Sequence, residues 1–376
     1  MLNFDLFALG QWMTPDHGYP EFATRWPSNA EWTGSTLSHN TVYVDKQPQK
    51  ENWGGRSRIF KQLKGFGMIV LDGRSAYPHL EEYTRTLILV SGEEAATGKK
   101  NDYVVDIFRI KGGEDHVYSF HGPPGKLIAQ GPELVAQENG TYAGENIPKG
   151  EWATDFPIGY SHLYQVQRDS SPPSQFILDW KTEMGYRGLP AGKDIHLRLH
   201  ALSPSHDLAI AKGDPPQNKP GNPKSLSYAL MHRHGENLSS SFVSVIEPYQ
   251  DKPFIRSIRR LDTGEEGGLA VERLGVDRAA LRERALHRVE DVVLIELAVL
   301  LGVFVEGRDP PGPGVDRDLE VAQRGHVVLA GLAGELLADL VPDVVLRQHR
   351  VVDLDPGRPG EVLLGQPLQV DHLRVV

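Results

Sequence analysis

Past Thr263 seven amino acids that the chain has used until then disappear. The 113 residues from 264 to 376 contain no Ser, Thr, Lys, Asn, Tyr, Trp, Met or Cys. Ser and Lys are among the commonest residues of globular domains, so their joint absence has a cause. What remains is Gly, Ala, Val, Asp, Glu, Leu, Pro, His, Gln and Arg, the residues whose codons can begin with G or C; only Ile295 and Phe304 depart. A GC-rich gene carries G or C at most wobble positions. Read in a shifted frame or on the opposite strand, it places that base first, never opens a codon with T, and so meets no stop. The segment therefore reads as wrong-frame or antisense translation, which divides the chain into a body, residues 1–262, and a non-native or disordered tail, residues 263–376. The alternative is a genuine Val/Leu/Arg-rich domain, in which residues 277–301 would form an amphipathic helix. On the first reading His326, His349 and His372 carry no site.

The body has the punctuation of β structure. Thr41–Val44 alternates after His39, and residues 66–71 form an apolar run closed by Asp72-Gly73. Residues 86–90, 175–180, 194–202, 226–232 and 241–247 read as further strands. Residues 103–110 end at Gly112-Gly113 and are followed at once by residues 116–120, the pattern of a hairpin. In residues 195–200 alternation is strict, which predicts one buried face and one presenting His196, Arg198 and His200. Stretches rich in Gly and Pro at 122–125 and 212–223 read as loops. With no long helical period, the fold class is mainly β: a large antiparallel β-sandwich or stacked-sheet domain.

Charge and composition exclude several functions. A net charge of -10 disfavours a general nucleic-acid binder, whose phosphate contacts need excess Lys and Arg. The absence of Cys excludes disulfides and thiolate metal sites. Residues 292–305 are the longest apolar run, too short to span a bilayer and interrupted by Glu296. The first residues show no leader-like pattern.

Several constellations could carry chemistry. Lys46, Lys50, Arg56, Arg58, Lys61 and Lys64 fall within 19 residues that contain Trp53 and Phe60. Such a stretch can guide an anionic sugar chain, with Arg56 and Arg58 pairing to carboxylate or sulfate; it can equally be a solvated loop and strand face. Trp12, Tyr19, Trp26 and Trp32 crowd the first 32 residues and could stack on sugar rings or close a buried sheet edge. His232 and His234 would share one strand face, a spacing that can bind metal but shows no third ligand nearby. The Asn139 and Asn237 sequons matter only in a eukaryotic secretory pathway.

One set of blocks points to a family. Leu2-Asn3-Phe4-Asp5 leads into Pro15-Asp16-His17-Gly18-Tyr19-Pro20, then Leu37-Ser38-His39-Asn40-Thr41-Val42. Asp106-Ile107-Phe108-Arg109, Tyr118-Ser119-Phe120-His121-Gly122, residues 242–248 and residues 253–257 follow in order. Over roughly residues 1–261 this resembles the C-terminal domain of the heparinase II/III-like polysaccharide lyases.

The resemblance implies a good deal. Family members cleave uronic-acid polysaccharides such as heparan sulfate or alginate by β-elimination, in a cleft between an N-terminal α/α toroid and a C-terminal antiparallel sheet domain. The uronate carboxylate is neutralised to acidify the neighbouring C–H, a base removes that proton, and an acid protonates the leaving oxygen. In the family much of this work is done by toroid residues and by a His-x-His stretch just before the Leu-Asn-Phe block. Met1 falls immediately before that block, so this segment is expected to lack most of the catalytic apparatus, and no catalytic residue is assigned. The resemblance also implies a structural zinc, with Asp16 and His39 as two ligands and the third upstream of Met1, hence weak metal binding or none. By residue type alone, Asp16 reads as a turn residue before Gly18, and His39 as a strand-start histidine bonded to backbone. Tyr19 joins Arg56 and Arg58 as a candidate substrate contact. A full-length family member is expected in the periplasm or secreted, with an acidic polysaccharide and the toroid as partners. Two functions compete: the sheet fragment of a lyase, inactive alone, or a non-catalytic module that binds acidic polysaccharide. In either case a face that normally meets the toroid would be exposed and would limit solubility.

Overall fold

The computed structural model describes residues 1–16, 29–51, 55–63, 65–92, 98, 100–217 and 222–261, with two further strands at Ala270–Leu274 and Val292–Val293. Contacts divide the chain into Met1–Val303 and Phe304–Val376, and every described residue belongs to the first unit. The remainder of the tail lies outside the described residues.

The body is two antiparallel sheets face to face, as its punctuation predicts. One has eight strands in the order β4 (Arg56–Leu63), β5 (Phe66–Asp72), β6 (Glu82–Val90), β7 (Tyr103–Lys111), β16 (Ser239–Gln250), β13 (Ile195–Ala201), β12 (Phe176–Thr182) and β9 (Gly125–Gln130). The other has six: β10 (Val135–Ala136), β11 (Tyr164–Asp169), β14 (Asp207–Gly213), β15 (Leu226–His234), β8 (Asp115–His121) and β3 (Thr41–Val44). A short ribbon, β1 (Phe7–Ala8) with β2 (Gln11–Trp12), opens the chain. β17 (Ser257–Leu261) pairs with β18 (Ala270–Leu274), which pairs with β19 (Val292–Val293).

The inner faces meet in one core. Val42, Tyr118, Phe120, Ala229 and Met231 from the six-stranded sheet pack on Phe108, Leu178, Trp180, Leu197, Leu199 and Ile246 from the other. Each large side chain buried here contributes roughly 1.5–3 kcal/mol. The outer faces are covered as well. Trp32, Leu37, Tyr142 and Tyr160 lie over Tyr43, Val117, Leu230 and Tyr228. Leu202 and Ile255 lie over Met68, Ile88, Val105 and Val243. Strands covered on both sides need apolar residues at nearly every position, which is why β7 and β15 read as continuous runs rather than alternating ones.

Three expectations change. β7 and β8 are not a hairpin: β7 pairs with β6 and β16, β8 with β3 and β15. The chain instead crosses from one sheet to the other at Gly112-Gly113. Both glycines have positive φ (97° and 81°), and a Cβ on Gly113 would stand 2.7 Å from Asp45 Oδ2. That carboxylate accepts the amides of Glu114 and Asp115, fixing the crossing. The face of β13 bearing His196, Arg198 and His200 is not open. His200 is buried, its Nε2 2.9 Å from Glu247 Oε2, while Glu247 Oε1 accepts the amides of Phe254 and Ile255 from the covering segment. The predicted loops at 122–125 and 212–223 give up Gly125 to β9 and Lys212-Gly213 to β14, because neighbouring strands supply their backbone partners.

Candidate functional site

His39 leaves a single 3-10 turn, Thr36–Ser38, whose cap is Ser35: its hydroxyl accepts the Leu37 amide at 3.3 Å. The His39 amide donates to Thr36 O, and the chain then extends into β3. This exit turn places the imidazole at the start of the edge strand. Its Nδ1 lies 3.0 Å from Asp16 Oδ1, with side-chain exposures of 25% and 32%. The two residues that the resemblance links thus meet at a solvent-accessible edge.

Two asparagines hold the pair. Asn3 Nδ2 donates to Asp16 Oδ2 at 3.1 Å, and Asn3 Oδ1 accepts the Asn40 amide at 3.0 Å. Asn40 uses its own side chain on β8, with Oδ1 accepting the His121 amide at 2.7 Å and Nδ2 donating to His121 O at 3.3 Å. Beneath lies Arg85, fully buried on β6. Its Nη1 donates to the carbonyls of Leu2 and Asn40, both at 2.5 Å, and its ring-side neighbour is Phe4 at 4.5 Å. Nε and Nη2 pair with Asp106 at 2.9 and 2.6 Å, and Tyr118 OH donates to the same carboxylate at 2.7 Å.

The electrostatics follow from burial. Asp5, on the same segment, is pushed up to about 6, first by partial desolvation and then by the charge of Asp16, with Trp12, the Asp16 amide and His39 opposing. His121 is pushed down to about 4, chiefly by complete burial. At neutral pH the locality thus has two carboxylates and an accessible imidazole at its edge, with a neutral histidine behind. Such a set can take up a proton or offer oxygen and nitrogen donors to a cation.

It is not by itself a complete metal cage. Asp16 and His39 are two donors, and among the described residues no group of three or more His, Asp or Glu side chains is arranged to hold an ion. The protein-only site that a structural zinc calls for is therefore not met by these residues. His232 and His234 do share a face of β15, and folding brings His206 beside them: ring centres lie 5.3 Å apart for 232–234 and 4.6 Å for 206–234. His232 Nε2 is bound to Asp115 Oδ2 at 2.9 Å, and His206 Nδ1 accepts the His234 amide.

The other candidates separate. Tyr19 and Trp26 lie outside the described residues. Trp32 is buried, its indole donating to Asp214 O at 2.8 Å, whereas Trp12 lies under the Arg187 guanidinium at 5.1 Å. Arg58 is held by Asp72, Nη2 to Oδ2 2.7 Å, and Arg56 is exposed at the start of β4. β4 is the outermost strand of its sheet, where charged side chains discourage edge-to-edge pairing, so part of the basic stretch has a structural reason. Asn3 and Asn40 were legible only as members of the blocks that carry the resemblance, and Arg85 lay just outside the strand read at 86–90, with nothing in the sequence to pair them.

Comparison with known proteins gives three findings. Residues 1–121 match the family described as heparinase II/III-like, C-terminal. An alginate lyase of Stenotrophomonas maltophilia (strain K279a) is 23% identical over 312 residues, covering 80% of this chain and 36% of that lyase. Among solved structures, a heparinase III aligns with a TM-score of 0.43 at 16% identity, over 73% of this chain and 34% of that one. The heparan sulfate lyase HepC from Pedobacter heparinus aligns with a TM-score of 0.39 at 15% identity, over 72% and 34%. The chain spans about a third of the length of these relatives.

Proposed function

We propose that this chain, which carries a heparinase II/III-like C-terminal domain sequence over residues 1–121, is the sheet half of a polysaccharide lyase that cleaves uronic-acid polymers by β-elimination. The supporting observation is the meeting of Asp16 and His39: the two blocks that bear the resemblance, distant in sequence, come within 3.0 Å at an accessible edge. The body's mainly β architecture supports the same reading. Substrate class is an acidic polysaccharide of the alginate or heparan sulfate kind, as the printed names of the relatives suggest. Arg56, Arg58 and Tyr19 remain substrate contacts on this reading, with Arg58 oriented by its pairing to Asp72. Asp16 and His39 would be two of three zinc ligands, and zinc affinity with these two alone is weak. The family's base and acid sit largely on the α/α toroid, and no base or acid is assigned among the described residues. No described helix is long and apolar enough to cross a membrane.

A non-catalytic module that holds acidic polysaccharide is the second reading, favoured by an accessible site with no assigned base. Joining an α/α toroid of the kind the family resemblance implies ahead of residue 1 separates the two. A lyase then yields unsaturated uronate ends, followed by their ultraviolet absorbance. Polymer retention without such ends, from a fusion whose toroid is folded, would sink the lyase reading in favour of the module.

A further inference from the structure

A second feature of the body lies at the opposite end of β3 from His39. The strand runs from Thr41 to Val44 and delivers Asp45 and Lys46 into left-handed conformations, φ 50° and 52°. Against this turn stands the loop that follows residue 150, closed by a bridge between Ala153 and Phe156. Between them is a cleft of about 660 Å³ whose walls include Asp45, Lys46, Gln47, Trp152, Asp155 and Phe156. That volume is in the range of small-molecule sites.

Its chemistry is uneven in an informative way. Phe156 packs inward on Tyr160 at 5.2 Å, and Tyr160 stacks on Tyr142 at 5.2 Å and meets Tyr43 at 5.8 Å, so the floor is rigid. Trp152, four residues earlier, is 74% exposed, and no hydrogen bond or ring contact engages it among the described residues. Exposure alone is ordinary for a single aromatic, but at the wall of a cleft it leaves the indole face available to a ligand. Lys46 Nζ is held 4.2 Å from the centre of the Phe156 ring, which keeps the ammonium at the cleft. Asp45 is already occupied by the amides of Glu114 and Asp115 and by His79 Nε2 at 3.0 Å. The groups left to meet a ligand are an indole face, an amide, one free carboxylate and one cation.

That combination suits a sugar. A pyranose offers a C–H face to an aromatic ring and hydroxyls to amide and carboxylate groups. A wholly apolar ligand would leave Gln47 and Asp155 unsatisfied, and a polyphosphate would offer the Trp152 indole no C–H face to stack on. We propose that the Trp152 cleft is a saccharide subsite, distinct from the Asp16–His39 edge, which takes a short stretch of an anionic polysaccharide. Trp152 stacks on one ring, Gln47 and Asp155 bind hydroxyls, and Lys46 pairs with a uronate carboxylate or a sulfate. The anionic character of the ligand rests on the function proposed above; the stacking does not.

The test is calorimetric titration of the full chain with an alginate tetrasaccharide, a heparan sulfate tetrasaccharide and neutral cellotetraose. Trp152→Ala and Lys46→Met are compared with the parent. Trp152 is on the surface, and circular dichroism checks that its variant keeps the fold. The expected result is a tenfold or greater loss of acidic-oligosaccharide affinity in Trp152→Ala. Lys46→Met loses affinity and salt dependence together. Parent-like binding by Trp152→Ala overturns the subsite while sparing the acidic-polysaccharide reading. Binding of cellotetraose as tight as the acidic sugars, unchanged in Lys46→Met, overturns the anionic assignment. A parent chain that binds none of the three overturns the subsite and the acidic-polysaccharide reading together.

Discussion

Arg85 and Asp106 form a fully buried ion pair, Nη2 2.6 Å from Oδ2, and the same guanidinium carries the carbonyls of Leu2 and Asn40. The pair therefore joins three things: the core of the eight-stranded sheet, the N-terminal segment that brings Asn3, and the turn that brings His39. A buried charge that is paired and hydrogen-bonded through four of its five N–H groups is tolerable, whereas one robbed of its partner is not.

Arg85→Met should accordingly destabilise the body by about 3–5 kcal/mol, because Asp106 is left charged and buried. The midpoint of urea unfolding measures it. The double variant Arg85→Met/Asp106→Leu should recover a large part of that loss, since no orphaned charge remains. A double variant as unstable as the single one would contradict the electrostatic explanation.

His121 gives a pH signature. Its folded value is about 4 against an ordinary 6.5, so the unfolded chain binds a proton that the folded chain refuses. Its contribution is present above pH 6.5, is lost as pH falls toward 4, and amounts to about 3 kcal/mol at most. The stability of His121→Asn should fall less steeply than that of the parent between pH 6.5 and 4. Parallel slopes would mean that His121 is not the group responsible.

Asp5 works in the opposite sense. Its folded value of about 6 lies above the ordinary 3.8, so the folded chain holds a proton longer than the unfolded one. Stability from this source is present below pH 3.8 and lost as pH rises through 6. Asp5→Asn should therefore raise the melting temperature at pH 7.5 and leave it nearly unchanged at pH 4, where Asp5 is largely protonated in the folded state. Because Asp5 is exposed, the gain is small. A lower melting temperature at pH 7.5 would show that its carboxylate makes a stabilising contact instead.

Much of the fold was legible because local chemistry reports it. The run after His39 became β3, the alternation of residues 195–200 became β13, and Asp72-Gly73 closes β5 as a turn should. What escaped depends on partners. β4 carries Arg, Lys and Gln and looks like a loop until its place at the sheet edge explains the charges. Gly112-Gly113 carries a hairpin's signature, yet strands that are apolar on both faces need separate sheets and cover. The Asp16–His39 pair was named through family resemblance, since each residue alone has an ordinary role. Arg85 and Asp106 are charges set inside largely apolar strands, and only the register of β6 against β7 brings them together.

Zinc offers a fourth check. With Asp16 and His39 as the available donors, added zinc should raise the melting temperature only at concentrations well above those that saturate a three-ligand site. His39→Ala should abolish even that shift. Saturation at submicromolar zinc would require a third ligand beyond the described pair.

Phe7 and Leu9, on the ribbon of β1 and β2, are 70% and 44% exposed. Apolar residues at this edge should make the chain self-associate, visible as a rising sedimentation coefficient with concentration, and Phe7→Ser/Leu9→Ser should reduce it. Concentration-independent monomers of the parent would argue that this edge needs no cover.

The most direct measurement is affinity electrophoresis through gels containing alginate, heparan sulfate or a neutral polymer, with each gel assayed for unsaturated uronate ends. Retardation by the acidic polymers alone, without new ends, is the predicted result. Mobility unchanged in every gel would contradict the assignment of this chain to acidic-polysaccharide chemistry.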